Sequence, residues 1–200
     1  MKRLLVCLLA LTWGAKVAAA DGGLDATDPN ASNRGQFGLS AKFVTGYRAI
    51  FPYGDGFYCG DNADPTRCLG RSPLSVDLGF SYRALDKLDV LFEVRMGLER
   101  DFGVDPSSAG PRIRMYAPGI RAYVRDSGGL KAFIGLQFVA DTTTYPQHDK
   151  TDYGMRGQMG LMLDPHRTVG IMLFFGPSVS WSRWLKFEIE GGLGIQARFP

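Results

Sequence analysis

From Gly35 to its end the chain alternates apolar and polar residues with a period of two. The clearest case is Trp184 to Phe199. Its odd positions read Leu185, Phe187, Ile189, Gly191, Leu193, Ile195, Ala197 and Phe199, and its even positions read Lys186, Glu188, Glu190, Gly192, Gly194, Gln196 and Arg198. A helix needs apolar residues three and four apart, so a helical face does not fit. A strand with one greasy and one charged face does. The stretch runs for sixteen residues, whereas a transmembrane strand needs about nine to eleven.

The same pattern recurs along the chain. Phe37, Leu39, Ala41, Phe43 and Tyr47 stand against Gln36, Ser40, Lys42 and Arg48. A long Gly-, Pro- and Asp-rich connection is expected over residues 49–73. Leu74, Val76, Leu78, Phe80 and Tyr82 then stand against Ser75, Asp77, Gly79, Ser81 and Arg83. After a turn at Leu85–Lys87 the third strand sets Leu88, Val90, Phe92, Val94, Met96 and Leu98 against Asp89, Glu93, Arg95, Gly97 and Glu99. A loop over residues 101–112 leads to a fourth strand, with Tyr116, Ile120, Ala122 and Val124 against Arg121, Tyr123 and Arg125. Pro118 falls inside it and predicts a bulge or a late strand start. The fifth strand carries Leu130 to Phe138 against Lys131, Phe133, Gly135, Gln137 and Asp141. The sixth, after a loop at 143–152, carries Tyr153 to Leu163 against Arg156, Gln158, Gly160 and Asp164. The seventh sets Val169, Ile171, Leu173 and Phe175 against Gly170, Met172, Phe174 and Gly176. A short Gly176–Ser178 connection leads to the last strand.

Eight strands joined by alternating long and short connections predict an all-β fold, an eight-stranded antiparallel up-and-down barrel. Tight turns lie at one end and loops at the other. An even count brings the first and last strands together antiparallel. Alternation alone leaves open which face points outward, and a soluble lipocalin-like barrel would carry its apolar face inside. The aromatics favour a membrane. Tyr47, Tyr116, Tyr153 and Trp181 fall at the loop end of the apolar face, and Phe37, Tyr82 and Phe199 at the turn end, as two girdles at two interfaces.

The inward set is then Lys42, Asp77, Arg83, Asp89, Glu93, Arg95, Glu99, Arg121, Arg125, Lys131, Arg156, Glu188, Glu190 and Arg198. Eight strands enclose a lumen just wide enough for side chains to fill. Buried charges that do not pair cost several kcal/mol each, so a salt-bridged core is expected rather than a conducting path. Register follows from the same reasoning. Pairing Arg83 with Asp89 also pairs Asp77 with Arg95, Phe80 with Phe92 and Leu78 with Val94. A slip of two residues would set Asp77 against Glu93, two like charges in a confined space.

Composition changes the picture at the N-terminus. Lys2 and Arg3, an apolar run from Leu4 to Trp13, and Ala18-Ala19-Ala20 predict a signal peptide over residues 1–20, with cleavage before Asp21. Cys7 would leave with it. Residues 21–34 read as a flexible polar tail, and residues 35–200 as the barrel. The signal holds three of the 23 basic residues and none of the 20 acidic ones, so the rest of the chain is neutral. The basic pI is therefore no sign of a nucleic-acid partner. No stretch reaches the roughly 18 apolar residues of a membrane helix.

Signal, amphipathic strands, loop asymmetry and a terminal strand ending in Phe199 together resemble the small eight-stranded outer-membrane proteins of Gram-negative bacteria, the OmpX and OmpA-barrel type. The resemblance implies an outer-membrane location, outer-membrane lipids and lipopolysaccharide as surroundings, and delivery by the barrel assembly machinery. That family's assembly signal is a terminal aromatic preceded by alternating apolar residues, matched here by Leu193, Ile195, Ala197 and Phe199. Pro200 after the aromatic is a departure from it.

Candidate chemistry is sparse. Cys59 and Cys68 bound a ten-residue stretch in the first loop, and an exported pair this close reads as a disulfide. Asp55, Asp61, Asn62 and Asp64 do not match a calcium loop, and no metal or cofactor is expected. His148 beside Asp149, near Asp152, is the one Asp–His pair that would serve a barrel enzyme. No serine motif accompanies it. The expected function is a non-enzymatic barrel with a structural or surface-interaction role toward a ligand the sequence does not name. A narrow channel is the alternative, and an enzyme acting on lipid or peptide through His148 a more distant one.

Overall fold

The computed structural model describes residues 34–53, 67–101, 110–127, 129–145 and 150–199. The predicted signal peptide, most of the tail, Cys59 and His148 lie outside these residues. Among the described residues the chain forms eight strands: β1 Phe37–Pro52, β2 Cys68–Leu85, β3 Leu88–Arg100, β4 Arg112–Ser127, β5 Leu130–Asp141, β6 Asp152–His166, β7 Val169–Ser180 and β8 Trp184–Phe199. Each pairs antiparallel with its neighbour, and β1 pairs with β8 along its whole length, from Phe37↔Phe199 to Pro52↔Trp184, closing the barrel. Closure leaves no unpaired edge.

The barrel is polar inside and apolar outside. Lys42, Asp77, Glu93 and Glu190 are at most 1% exposed, while Ile189, Leu193 and Phe43 are exposed to 69%, 60% and 59%. A soluble protein rarely shows an apolar patch beyond a few hundred Å². Here the whole belt is apolar, so the medium around it is hydrocarbon. That excludes the lipocalin-like arrangement. No helix among the described residues is long and apolar enough to cross a membrane; the strands themselves cross it.

β2 and β3 pair in the register expected from charge: Asp77 faces Arg95, Arg83 faces Asp89, Phe80 faces Phe92 and Leu78 faces Val94. Tight turns follow at Asp86–Lys87 and Arg167–Thr168, and Gly129, with φ 79°, takes the left-handed conformation needed between β4 and β5.

Three expectations about the strands need correction. The connection expected over residues 49–73 is shorter, because β1 runs on to Pro52 and β2 begins at Cys68. Residues with little alternation stay in the sheet there because both neighbours offer partners, as in Ile50↔Cys68 and Ile50↔Lys186. The register shift at Val44–Gly46 absorbs the irregularity around Ser72 and Pro73. Likewise Gly176–Ser178 is strand, not connection, since β7 pairs with β8 through Ser180↔Lys186.

Pro118 causes neither a bulge nor a late start. β4 begins at Arg112, and its register to β5 is the same at Tyr116↔Ala140 and Gly119↔Gln137, on either side of the proline. Only the bonds of Ala117 and Pro118 to β5 are skipped, and the Gln137 amide donates to the orphaned Ala117 carbonyl at 3.4 Å. A side chain thus supplies what the missing proline N–H disrupts. Pro177 repeats the arrangement in β7, where the ladder to β6 skips from Arg156↔Ser178 to Met159↔Phe175 without a change of register.

Candidate functional site: the filled lumen and the loop-end rim

Inward residues of all eight strands meet in stacked layers. The middle layer is a charge network. Arg95 donates to Asp77 through Nε at 2.6 Å and Nη2 at 3.0 Å, and through Nη1 to Glu190 at 2.6 Å. Arg156 donates to Asp77 at 2.9 Å, to Glu93 at 2.5 Å and to the Gln137 carbonyl oxygen at 2.6 Å. The Lys42 ammonium sits 2.5 Å from Glu93 and 4.0 Å from Asp77. Arg121 approaches Glu93 at 3.7 Å and lies 5.0 Å over the Phe133 ring. Its Nε and Nη1 make no hydrogen bond. Four cations thus share three carboxylates, and the fourth cation is stabilised in part by an aromatic face.

Toward the turn end an apolar layer follows: Val44, Tyr123, Phe133, Met162, Met172 and Phe174. Phe174 fits because both neighbouring strands place glycine beside it, Gly160 on β6 and Gly192 on β8. Cations cap this layer from both sides, Lys42 at 4.8 Å over Phe174 and Arg83 at 4.3 Å over Tyr123. Beneath it, Asp89 accepts from Arg83 and from the Tyr123 hydroxyl at 2.8 Å. Asp164 pairs with Arg198 at 2.6 Å and Lys131 at 3.4 Å.

The loop end is closed by a second cluster. Arg48 grips Asp101 with both terminal guanidinium nitrogens, and the Tyr145 hydroxyl donates to the same carboxylate at 2.5 Å. Burial and the Asp101 carboxylate hold the Tyr145 phenol well above its ordinary pKa. Tyr145 packs edge-on against Trp184, with centroids 5.2 Å apart, and both join Ile50 and Cys68 in a buried group. Arg183 lies over both rings and donates to the carbonyls of Thr143 and Asp141 at 2.9 and 3.0 Å. Asp152 accepts from the Ser180 hydroxyl and from the backbone of Ser182 and Arg183, fixing the three-residue β7–β8 connection. The void below this cluster, lined by Val44, Arg48, Ser75, Arg95, Met115 and Tyr145 among others, has space for about one water molecule.

Of the residues expected in the lumen, Lys42, Asp77, Arg83, Asp89, Glu93, Arg95, Arg121, Lys131, Arg156, Glu188, Glu190 and Arg198 are all buried. Glu99 is not. It lies above the register shift between Met96 and Arg100, 43% exposed, and binds Arg71 at 2.6 Å and the Leu74 amide at 2.8 Å. The shift inserts two residues on β3, so Glu99 keeps its inward parity; it is exposed because it stands at the rim, one residue from the end of β3. The side chain of Arg125 lies outside the described residues. Arg48, Asp101, Asp141, Asp152, Arg183 and Lys186 also lie in the lumen, outside the expected set, with Tyr145 and Trp184 as its lid. Arg48, Lys186 and Asp141 already stood on polar faces, so parity was the available signal. Asp101, Asp152, Tyr145 and Arg183 sit at or beyond strand ends, where parity says nothing.

Outside, Tyr47, Tyr116, Tyr153 and Trp181 are exposed at the loop end, and Phe37 and Tyr82 at the turn end, with Phe199 half-buried beside them. The Phe37 ring lies 5.1 Å from Tyr82 and 5.8 Å from Phe80.

A closed antiparallel barrel with a hydrocarbon-facing belt and a charge-filled interior is an integral membrane protein. No protein-family model matches the sequence, and a comparison with curated proteins finds no match. Among solved structures, the chain is similar to the N-terminal β-barrel domain of Pseudomonas aeruginosa OprF, at 11% identity and a TM-score of 0.56 over 83% of this chain and 98% of that one. It is similar also to Neisserial surface protein A (NspA), at 13% identity and a TM-score of 0.54 over 83% of this chain and 100% of that one. The fold is that of the small eight-stranded outer-membrane barrels.

Proposed function

We propose that the protein is a non-enzymatic outer-membrane barrel whose work is done at its loop end. The barrel is the anchor, and the loops on its rim present a surface to lipopolysaccharide and to partners outside the cell. The closed lumen carries this reading. Paired charges, an aromatic layer and the Tyr145–Trp184 lid succeed one another along the axis, which supports a scaffold over a channel. In this reading residues 1–20 are removed on export, residues 21–34 form a tail, and the barrel assembly machinery takes up the chain through the β8 signal ending in Phe199. Cys59 and Cys68 form a disulfide that ties the first loop beside the buried Cys68–Trp184 group.

The test is conductance. Purified protein in planar bilayers is expected to show no steady unitary conductance. A persistent ohmic step would replace the scaffold with the narrow channel. Turnover of lipid or peptide that disappears in His148→Ala would replace it with an enzyme.

A further inference from the structure

The loop-end rim is uneven. At the top of β1, in the β7–β8 connection and on β8 it carries exposed Phe51, Tyr53, Trp181 and Phe187, with the Tyr53 hydroxyl donating to the Trp181 carbonyl at 2.8 Å. On β3 and β4 its outward positions carry Arg100, Arg112 and Arg114, all exposed. Arg112 stands directly across the ladder from Arg100, and Arg114, on the same face, stands across from Met96. Like charges opposed on a sheet destabilise it, and the repulsion grows where the local dielectric falls, as at a membrane boundary. Glu99, the carboxylate of this stretch of wall, is held by Arg71 and the Leu74 amide. Asp101 is turned inward to Arg48. Arg100 donates to the Gly110 carbonyl at 3.2 Å, but among the described residues no carboxylate forms an ion pair with Arg100, Arg112 or Arg114. The sheet therefore holds three outward cations, two of them face to face, with no anion among the described residues paired to them.

Their height identifies what offsets them. Tyr116 lies on the same outward face of β4 and belongs to the girdle, and girdle aromatics sit at headgroup level. Two and four residues further up, Arg114 and Arg112 stand about 7 and 13 Å along the strand, or about 5 and 10 Å in height once the strand tilt is allowed for. The wall beside and below them is apolar, with Met96 and Leu98 exposed between the arginines and Tyr116 beneath. A ligand that meets both surfaces has an acyl part and an anionic head. Guanidinium forks match phosphate oxygens two at a time, and a phosphate monoester brings up to two negative charges to three cations.

We propose that Arg100, Arg112 and Arg114 form a lipid-binding site on the outer wall of β3 and β4, and that its ligand is the phosphate-monoester headgroup of an outer-leaflet glycolipid. This rests on the barrel standing with its loop end in the outer leaflet, as the proposed function has it.

The full barrel, folded in micelles, is mixed with a bis-phosphorylated lipid A-type glycolipid, with its dephosphorylated form, or with phosphatidylglycerol. Retained lipid is counted by native mass spectrometry. The phosphorylated glycolipid is expected to be retained about tenfold or more over the dephosphorylated one, the factor that one charge-assisted contact supplies, and the preference is expected to shrink with added salt. Arg100→Gln/Arg112→Gln/Arg114→Gln is expected to lose the preference, and Lys87→Gln, at the turn end, to keep it. A heat-dependent gel shift shows that each variant is folded. Equal retention of both glycolipids, an unchanged preference in the triple variant, or phosphatidylglycerol held as strongly as the monoester would overturn the proposal. If the triple variant does not fold, the salt dependence and the two glycolipids decide it on the unaltered protein. A conductance step would overturn the scaffold reading while leaving lipid retention as it is, so the two failures are separable.

Discussion

Replacing Asp77 by Asn removes the charge on which the middle of the lumen turns. Asp77 is fully buried and accepts from Arg95 at 2.6 and 3.0 Å and from Arg156 at 2.9 Å, with the Lys42 ammonium 4.0 Å away. At an effective dielectric of about 20, the Arg95 contact alone represents roughly 6 kcal/mol of attraction, most of it offset by the cost of taking both ions out of water. Deleting one partner of such a pair leaves that cost unopposed, and the usual loss is about 3–5 kcal/mol. The loss at Asp77 belongs near the lower end, about 3 kcal/mol, because Asn keeps one acceptor, Arg95 keeps Glu190 and Arg156 keeps Glu93. The assay is urea unfolding in a lipid or detergent system where folding is reversible, followed by the fluorescence of Trp181 and Trp184 and by the gel shift of the folded barrel. Arg95→Gln and the double variant Asp77→Asn/Arg95→Gln complete a cycle. The coupling is expected to be about 2 kcal/mol, within the range for residues sharing one network. A loss below about 1 kcal/mol with additive single effects, the behaviour of exposed ion pairs, would mean that these charges are bathed in water. The filled-lumen account, and the scaffold reading with it, would then be wrong.

Other outcomes follow from particular contacts. A Cβ on Gly192 would lie 1.9 Å from the Phe43 carbonyl oxygen and 3.0 Å from the Phe174 ring, so Gly192→Ala is expected to cost about 3 kcal/mol, the upper range for overpacking. Gly70→Ala, where nothing lies within 4 Å, is expected to leave the urea midpoint unchanged. Exported protein is expected to show no free thiol at Cys59 or Cys68 by mass spectrometry, and Cys59→Ser/Cys68→Ser is expected to assemble but with a lowered urea midpoint, because Cys68 is the first residue of β2 and is buried beside Ile50 and Trp184. In an ultraviolet titration, a phenol that ionises well above the ordinary tyrosine range is expected to be missing in Tyr145→Phe. Since folding raises the Tyr145 pKa, its contribution to stability is complete below the unfolded value of about 10 and is lost as the pH rises above it. A Tyr145 that titrates with the exposed tyrosines would show the lid to be open.

Alternation along the chain was enough to give the strands, their number and which residues of each share a face. Period-two alternation is a local property, and a strand long enough to cross a membrane displays it in full. The β2–β3 register was legible as well, because a short turn and two opposite-charge pairs leave one alignment without a like-charge clash. Three things were settled only by the tertiary structure. The first is direction: alternation is symmetric, the aromatic girdles favoured the charged face inside, and the burial of Lys42, Asp77, Glu93 and Glu190 decides it. The second is which charges meet. Asp77 and Arg95 are neighbours in one hairpin, but Arg156 and Glu190 reach the same network from β6 and β8 across the lumen, and nothing near them in the chain marks them as its members. The third is the behaviour of the ends and interruptions. Pro118 breaks a strand in isolation, yet here two paired neighbours and the Gln137 amide carry the sheet past it. Asp101, Tyr145 and Arg183 lie where alternation has ended, and they become the lid because the extended tops of β1, β2 and β8 surround them. Arg100 came to face Arg112 through the two-residue β3–β4 shift above Met96, which pairing between strands imposes and a single strand does not encode, and Glu99 beside it stands at the rim rather than in the filled lumen.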